Sequence, residues 1–225
     1  EAQFTSYAGK VYPFERNTHV GKYDYIKEWE TYCAIDFGYR MPSVVWLQVG
    51  RVDGDVEIHI IDEIIHQTNI KTEELAEKIL AKGYPTMQYF CDPAGVGMQS
   101  TSGIGDIEVF KRYGIFPRFR TDKVSRNIPS GIDLVRSFVE NAEKKARLYV
   151  NESCKGVIED FENYRYPEKR DNQTLKDEPL KDGRHDHGMD AIRYFFINKF
   201  PIKKFGALAN HLLETRVVQK FFIPK

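Results

Sequence analysis

The sequence predicts an α/β protein built on one mixed sheet, and three observations lead to that prediction. Three consecutive β-rich runs are separated by short turn segments, which is typical of an antiparallel meander. Helical patterns then alternate with further strand-like runs, which is typical of parallel strands flanked by helices. The chain has 225 residues, of which 41% are hydrophobic, and this suits one well-cored domain.

The first half of the chain contains four predicted strands and a helix. The three strands of the meander are TYCAIDFG (31–38), SVVWLQVG (43–50) and VEIHIID (56–62). An Asp-Gly pair in RVDGD, between the second and third strands, is a strong hairpin signal. KTEELAEKILAKG predicts a helix over 72–82, with Thr72 as the N-cap and Gly83 at its end. TMQYFCDPAG then predicts a central parallel strand, because it is mostly apolar.

The second half of the chain is predicted to be mainly helical. A short amphipathic segment covers 106–113, and IFPRFR is an edge strand because Pro117 cannot donate to a sheet ladder. PSGIDLVRSFVENAEKKA predicts a long helix, with Ser130 and Asp133 at capping-box spacing. RLYV predicts a brief strand, ESCKGVIEDFENY a helix, and the residues from His187 onward a closing helix that ends before Pro201.

The overall composition excludes several classes of protein. Basic and acidic residues number 33 each, so the whole surface is not a polyanion-binding surface. The three cysteines lie far apart without CxxC spacing, which indicates reduced thiols and an intracellular setting. No window of about 18 apolar residues exists, so no membrane span is expected. The chain begins without an initiator Met or a signal peptide, which indicates a piece of a longer polypeptide.

Three aspartates stand at the boundaries of predicted elements. Asp36 lies near the end of the first strand and Asp92 at the end of the fourth, and each alone could be a turn residue. In the closing helix, Asp190 shares one face with Asp186 and His187, which precede it by four and three residues. Asp186 or His187 could cap this helix. Asp190 lies beyond the first turn, so helix capping does not explain an acid at this position. An ion pair with Arg193 or Lys181 would explain it.

Taken together, the three aspartates predict a metal site. A central-strand Asp, a neighbouring-strand Asp and a helix Asp can converge at one edge of the sheet. Clustered carboxylates raise one another's pKa unless a cation neutralises them, and carboxylate oxygens suit Mg²⁺ or Mn²⁺. His187 shifts the preference toward Mn²⁺. Two such ions about 4 Å apart would clamp a phosphodiester for attack by water. The sequence has neither a P-loop nor a GxGxxG motif.

Three segments carry a resemblance to a known family. YCAIDFGYRMPSVVWL, YFCDPAG and KDGRHDHGMDAIRYF, in this order and spacing, resemble the nuclease domain of the large terminase subunit of tailed bacteriophages. The resemblance implies a ribonuclease H-like fold and a metal-dependent DNA endonuclease, with two Mg²⁺ or Mn²⁺ ions, that cuts concatemeric viral DNA during genome packaging. Asp36, Asp92 and Asp190 match the acidic triad of that family. His187 matches a position that is His or acidic in different members, and Asp186 is an additional neighbour that would either bind one of the ions or support a residue that does.

The resemblance also implies a domain organisation and a set of partners. Residues 1–30, which include GKVYPFERNTHV, would be the connector from an ATPase domain that this fragment lacks. Residues 31–200 would be the nuclease domain, 165–184 a polar hairpin or loop near the site, and 201–225 a C-terminal tail. The implied partners are double-stranded viral DNA, the chain's own ATPase domain, the portal protein and the small terminase subunit, in the cytoplasm of the infected host. No membrane is involved.

Basic residues near these motifs are the candidate DNA contacts. They lie in the stretch 118–147 and in the polar segment before the closing helix, and phosphate contacts of this kind make binding sensitive to salt. The candidates are Arg118, Arg120, Lys123, Arg126, Lys176, Lys181 and Arg184.

Two other functions remain open at this point. The chain could be a noncatalytic module that docks on a portal or another subunit through residues 202–225 and the aromatic connector. It could also be another ribonuclease H-like nuclease, such as a junction resolvase or an integrase.

Overall fold

The protein is described by a computed structural model that covers residues 9–37, 41–92, 105–123, 125–167 and 178–200. The strands are β1 (Val20–Gly21), β2 (Glu30–Asp36), β3 (Ser43–Val52), β4 (Asp55–Ile64), β5 (Thr86–Phe90), β6 (Pro117–Arg118) and β7 (Leu148–Asn151). The helices are α1 (Arg16–His19), α2 (Thr72–Ala81), α3 (Asp106–Arg112), α4 (Ile128–Val139), α5 (Lys155–Asn163) and α6 (Asp186–Lys199).

All seven strands belong to one mixed sheet, in the order β1-β7-β4-β3-β2-β5-β6. β2, β3 and β4 form the predicted antiparallel meander. The hairpin between β3 and β4 turns at Asp53 and Gly54, both with positive φ, as an Asp-Gly turn requires. β5 and β7 run parallel to β2 and β4, and β6 is an edge strand. The predicted α/β fold with a mixed sheet is therefore confirmed.

The alternation of side chains along β2 divides the core into two layers. Tyr32 and Ala34 face a layer that contains α4, α5 and α6, whereas Cys33 and Ile35 face a layer that contains α2 and α3. Because both faces of the sheet are covered, β2 is buried along nearly its whole length. Asp36 shares the side of Tyr32 and Ala34 by the period of two, and α6 covers that side.

Helix α6 lies in the middle of the first layer. It packs on β2 and β3 and lies against both α4 and α5. Its apolar side chains are buried, including Met189, Ile192 and Phe196, the predicted stripe, together with Phe195. This burial on all sides fixes the orientation of the helix relative to the sheet.

Two predicted N-caps are wrong. The side chain of Asn127, not that of Ser130, caps α4, because the backbone N–H of Ser130 donates to Asn127 Oδ1 at 2.8 Å. The cap of α2 is Lys71, and the hydroxyl of Thr72 donates instead to Asp106 Oδ1 at 2.6 Å. α4 also ends at Val139, earlier than predicted, because the next residue, Glu140, has an extended backbone with φ −149° and ψ 118°.

The residues before β2 belong to the folded body. Val11, Tyr12 and Phe14 are buried in the first layer, and β1 extends the sheet beside β7. On the other side, the buried amide of Gln48 bonds both the N–H and the carbonyl of Ile26 at 2.8 Å. In the described part of the chain, no helix combines the length and the apolar character needed to cross a bilayer.

Candidate metal centre at the carboxyl ends of β2 and β5

The register of the sheet places Asp36 and Asp92 side by side. Asp36 is the last residue of β2. β2 and β5 are parallel, with Ala34 opposite Phe90, so the same register two residues further on sets Asp36 opposite Asp92. Carboxyl ends of parallel strands are where α/β folds hold their ligands. The two carboxylates therefore lie at the same edge of the sheet.

The first turns of α6 bring the remaining predicted site residues to this edge. His187 Nδ1 lies 2.7 Å from Asp36 Oδ2, which joins the helix to the end of β2. The side chain of Asp190 is 6% exposed, and its Oδ1 accepts from Arg193 Nη2 at 2.9 Å. Its Oδ2 accepts from Lys181 Nζ. Both pairings that the sequence offered for Asp190 are thus present at once.

The pKa values show that the three aspartates act on one another. Burial raises the pKa of Asp36, the hydrogen bond with His187 opposes the rise, and the charges of Asp190 and Asp92 add to it. Burial also raises the pKa of the Tyr194 hydroxyl, which the same three carboxylates raise further. A group that responds to all three aspartates indicates that they converge.

Neighbouring charged side chains also shift the pKa values of Asp190 and His187. Burial acts to raise the pKa of Asp190, but Arg193 and Lys181 outweigh it and hold that pKa below its ordinary value. The hydrogen bond with Asp36 raises the pKa of His187, and burial partly opposes it. Lys181 and Arg193 therefore neutralise the carboxylate of Asp190.

Asp186 has a different local role from the other acids. Its Oδ1 accepts from the backbone N–H of Gly183 at 2.7 Å, and its Oδ2 lies 3.8 Å from Lys181 Nζ. It stabilises the turn that leads into α6. The expectation that Asp186 or His187 would be the N-cap is wrong, because α6 begins at Asp186 with His185 in the cap position.

The donor set fits a hard divalent cation. Three carboxylates and one imidazole that converge at a sheet edge match the preference of Mg²⁺ and Mn²⁺ for oxygen and, for Mn²⁺, some nitrogen. Among the described residues, no three His, Cys, Asp or Glu side chains are already drawn together around one point at metal-binding distances. An ion at Asp190 Oδ2 requires Lys181 to withdraw, and the side chain of Lys181 is 54% exposed, so it can do so without disturbing the core.

The predicted DNA-binding residues lie on two sides of this edge. Arg120 and Arg126 line a cavity that also includes Asp92, whereas Arg118 ends β6 and its carbonyl accepts from the N–H of Cys91. Lys123 is exposed in the loop between β6 and α4.

On the α6 side, Lys181 contacts Asp190, and Arg184 donates to Glu159 Oε1 from Nε and Nη2 at 3.1 and 2.9 Å. Lys176 and the tail from 201 onward lie outside the described residues, as does part of the predicted hairpin.

Sequence reasoning missed a second acid–histidine pair behind the site. Asp160, on α5, has no exposed surface, and its Oδ1 lies 2.7 Å from His66 Nε2. Its Oδ2 faces Gly188 of α6, where a Cβ atom would come within 2.2 Å of that oxygen. The glycine in the otherwise bulky α6 is the one sequence signal that could have indicated a close approach here.

No protein-family model matches the chain, and neither does any curated protein sequence. Solved structures do match. The chain is similar to the large terminase of a thermophilic bacteriophage, with a TM-score of 0.62 and 20% identity over 84% of this chain. It spans only 45% of that protein's length.

Two shorter structures are similar over nearly their whole length. The P22 large terminase nuclease domain matches with a TM-score of 0.64 and 15% identity, over 86% of this chain and 94% of that one. The nuclease domain of the bacteriophage SPP1 large terminase g2p, a structure with bound Mn, matches with a TM-score of 0.59 and 15% identity, over 84% of this chain and 98% of that one. The chain therefore has the fold of these domains, and the predicted ribonuclease H-like fold is confirmed.

Proposed function

We propose that this chain is a divalent-metal-dependent DNA endonuclease, the nuclease domain of a phage large terminase that cuts concatemeric viral DNA during packaging. The observation that carries the proposal is the convergence of Asp36, Asp92 and Asp190 with His187 at one sheet edge, on the fold that the terminase nuclease domains share. The Mn in the SPP1 structure supports the choice of metal.

In this proposal the chain's own residues divide the work. Asp36, Asp92 and Asp190 hold the cations, and Asp186 supports the turn that positions Lys181 and α6. His187 Nδ1 is occupied by Asp36, which fixes the ring and leaves Nε2 for a cation or a water molecule. Mg²⁺ or Mn²⁺ bound here supplies the activation of water and the stabilisation of charge on the phosphodiester.

Lys181 has a role both before and during binding of substrate. Without a divalent cation it neutralises Asp190, which limits repulsion among the buried carboxylates. When it withdraws, its ammonium group lies at the rim of the same site, where it can contact a DNA phosphate. Arg118, Arg120, Lys123 and Arg126 would contact the backbone on the Asp92 side, and Arg184 on the α6 side.

The larger context is part of the proposal. Residues 1–30 would connect to an ATPase domain, and the fragment would cut DNA without hydrolysing ATP. The portal protein and the small terminase subunit would be partners in the cytoplasm of the infected bacterial host. The hairpin at 165–184 would lie beside the active site.

Cleavage of supercoiled plasmid in Mn²⁺ tests the proposal. We expect nicked and linear products from the unmodified chain, and none when Asp92 is replaced by Ala. Intact plasmid after long incubation at every Mn²⁺ concentration would contradict nuclease activity. Calorimetric titration with Mn²⁺ distinguishes the nuclease from the noncatalytic docking module. In a docking module the carboxylates would only cap turns and helices, so they would not bind Mn²⁺ stoichiometrically. Faster cutting of a four-way junction than of linear duplex would favour a resolvase.

A further inference from the structure

A cavity of about 190 Å³ lies directly beside the proposed metal centre. Its wall is formed by the carboxyl end of β5, the loop between β6 and α4, the start of α4, and α6. Asp92 belongs to both the cavity and the cluster of carboxylates, so a molecule in the cavity would be next to the phosphodiester at the metal centre. The polar side chains that line it are Asp92, Arg120, Ser125, Arg126, Arg193 and Tyr194.

The lining is rich in guanidinium groups. Three guanidinium groups face the cavity against the single carboxylate of Asp92. Arg120 donates from Nε to Asp122 Oδ2 at 2.9 Å, and its remaining donors are available to a ligand. Arg126 is exposed and forms no ion pair within the described part of the chain. The cavity is therefore suited to an anion.

Arg193 shows that the cationic wall is built into the fold. Its side chain is 7% exposed, and one of its five N–H donors bonds Asp190. Its stem lies against Gly131 of α4, where a Cβ atom would be 2.9 Å from both Cγ and Cδ of the arginine. Burying a guanidinium is costly unless its donors are satisfied. The donors of Arg193 that Asp190 does not use remain for a ligand of the cavity.

We propose that this cavity binds a phosphate group of the DNA backbone adjacent to the phosphate that would be cleaved; the inference rests on the proposed function. Guanidinium groups match phosphate oxygens in paired hydrogen bonds. Ile128 and Ile197, also in the wall, offer an apolar surface to a deoxyribose. Binding here would fix the position of the strand relative to Asp92.

The test measures the affinity of a short duplex by fluorescence anisotropy, with Ca²⁺ in place of Mn²⁺, over a range of salt concentrations. Arg126→Gln should weaken binding about tenfold, the cost of one charged hydrogen-bonded contact, and should reduce the salt slope by about one. Arg126→Lys should keep the salt slope but lose part of the affinity, because lysine keeps the positive charge but lacks the paired N–H donors of a guanidinium group.

The matched control is Arg51→Gln, which makes the same change at the opposite end of β3 from Ser43, the partner of Asp36. It should leave affinity and salt slope as in the unmodified chain. Thermal unfolding of every variant verifies folding, since Arg126 is exposed and its replacement should leave the melting temperature unchanged.

Two further measurements identify the source of the phosphate. Duplexes with a single neutral methylphosphonate should lose affinity at one position for the unmodified chain but not for Arg126→Gln. If inorganic phosphate stabilises the unmodified chain more than Arg126→Gln, while both bind duplex equally, the cavity takes free phosphate and the inference is overturned.

If plasmid is cut and Arg126→Gln retains affinity and salt slope, the inference fails and the proposed function stands. A chain that neither binds nor cuts DNA contradicts the proposed function itself.

Discussion

Two aspartate–histidine pairs lie beside the first turns of α6, and they have the same N···O distance but different surroundings. His187 Nδ1 lies 2.7 Å from Asp36 Oδ2, and His66 Nε2 lies 2.7 Å from Asp160 Oδ1. We refer to them as the edge pair and the inner pair, respectively. If the distance between acid and histidine determined function, both pairs would have the same function.

The surroundings make the inner pair neutral. Burial raises the pKa of Asp160 to about 9, and nearby Glu63, Glu159 and Asp182 contribute. Burial also lowers the pKa of His66. At neutral pH a protonated carboxyl therefore donates to an uncharged imidazole, and the pair holds α5 and the loop after β4 together beneath Gly188. Asp160 has no access to solvent and the side chain of His66 is 12% exposed, so the acid of this pair cannot contact a substrate.

The edge pair belongs to a cluster with surplus charge. Asp92 and Asp190 act on Asp36, and the pKa of His187 is raised by its hydrogen bond with Asp36, whereas that of His66 is lowered. The side chain of His187 is 22% exposed, so the pair can be reached from outside. Access and the number of converging charges, rather than the acid–histidine distance, distinguish a candidate site from an internal support.

The strongest test of this contrast replaces the acid of each pair by its amide. Asp36→Asn should reduce Mn²⁺-dependent plasmid cleavage by at least about 100-fold, because even changes around metal ligands cost up to that amount. Asp160→Asn, the matched control, should stay within about threefold of the unmodified chain, because the protonated acid and the amide are both neutral. Equal losses in the two variants would contradict the contrast, provided that both remain folded by circular dichroism.

The next test disturbs the inner pair sterically. In Gly188→Ala the added Cβ would lie 2.2 Å from Asp160 Oδ2 and 3.0 Å from Ile65 Cδ1, so α6 must move. Overpacking of this kind should reduce the free energy of unfolding by about 1–3 kcal/mol, measured in urea. Because His187 and Asp190 move with α6, Mn²⁺ affinity should fall as well. The double variant Gly188→Ala, Asp160→Ala should recover part of both losses, and no recovery would show that the clash lies elsewhere.

The sequence predicted the strands that carry two of the three site aspartates. β-rich runs between turn signals located β2 to β4, and the apolar character of β5, after the intervening helix, indicated that it is a parallel central strand. That arrangement is sufficient to place Asp36 and Asp92 at the same edge of the sheet. The register itself comes from the structure, because the parallel partner of a strand is not encoded in local pattern.

Other features depend on tertiary contacts that a local pattern does not contain. His66 and Asp160 are separated by 94 positions, and neither has a neighbouring signal that links it to the other. β1 is only two residues long and its pairing with β7 has no periodicity to detect. The cap of α4 was misplaced because Asn127 and Ser130 are both good capping residues, and only the backbone shows which one precedes the first turn.

The inner pair also predicts a dependence of stability on pH. The pKa of Asp160 is about 9 in the folded protein and near its ordinary value of 3.8 when unfolded, so the folded state binds more protons between these values. Stability from this group is full below about pH 4 and is lost as the pH rises toward 9. The lowered pKa of His66 acts in the opposite direction, but only below about pH 6.5.

Urea denaturation from pH 7 to 9 isolates the contribution of Asp160. The unmodified chain should lose stability relative to Asp160→Asn by at most about 1.4 kcal/mol per pH unit, the limit for one proton. The difference between the two proteins removes the contribution of other titrating groups, including those of the edge pair. Parallel curves for the two proteins across this range would show that Asp160 is ionised in the folded state, and that the inner pair is not neutral.

The smallest effect is expected at Lys181, where the edge cluster is neutralised by a side chain that can leave. Lys181→Met removes the ammonium group from Asp190 Oδ2 and should raise Mn²⁺ affinity about two- to fivefold in calorimetry, in line with a partly exposed ion pair. Lys145→Met is the matched control, because Lys145 pairs with exposed Asp55 far from the cluster, and it should leave the affinity unchanged. Weaker Mn²⁺ binding in Lys181→Met would mean that the lysine supports the bound ion rather than competing with it. Among the described residues, Asp160 has no such exchangeable cation, so within that part of the chain the edge cluster alone can pass between a state neutralised by side chains and one neutralised by metal.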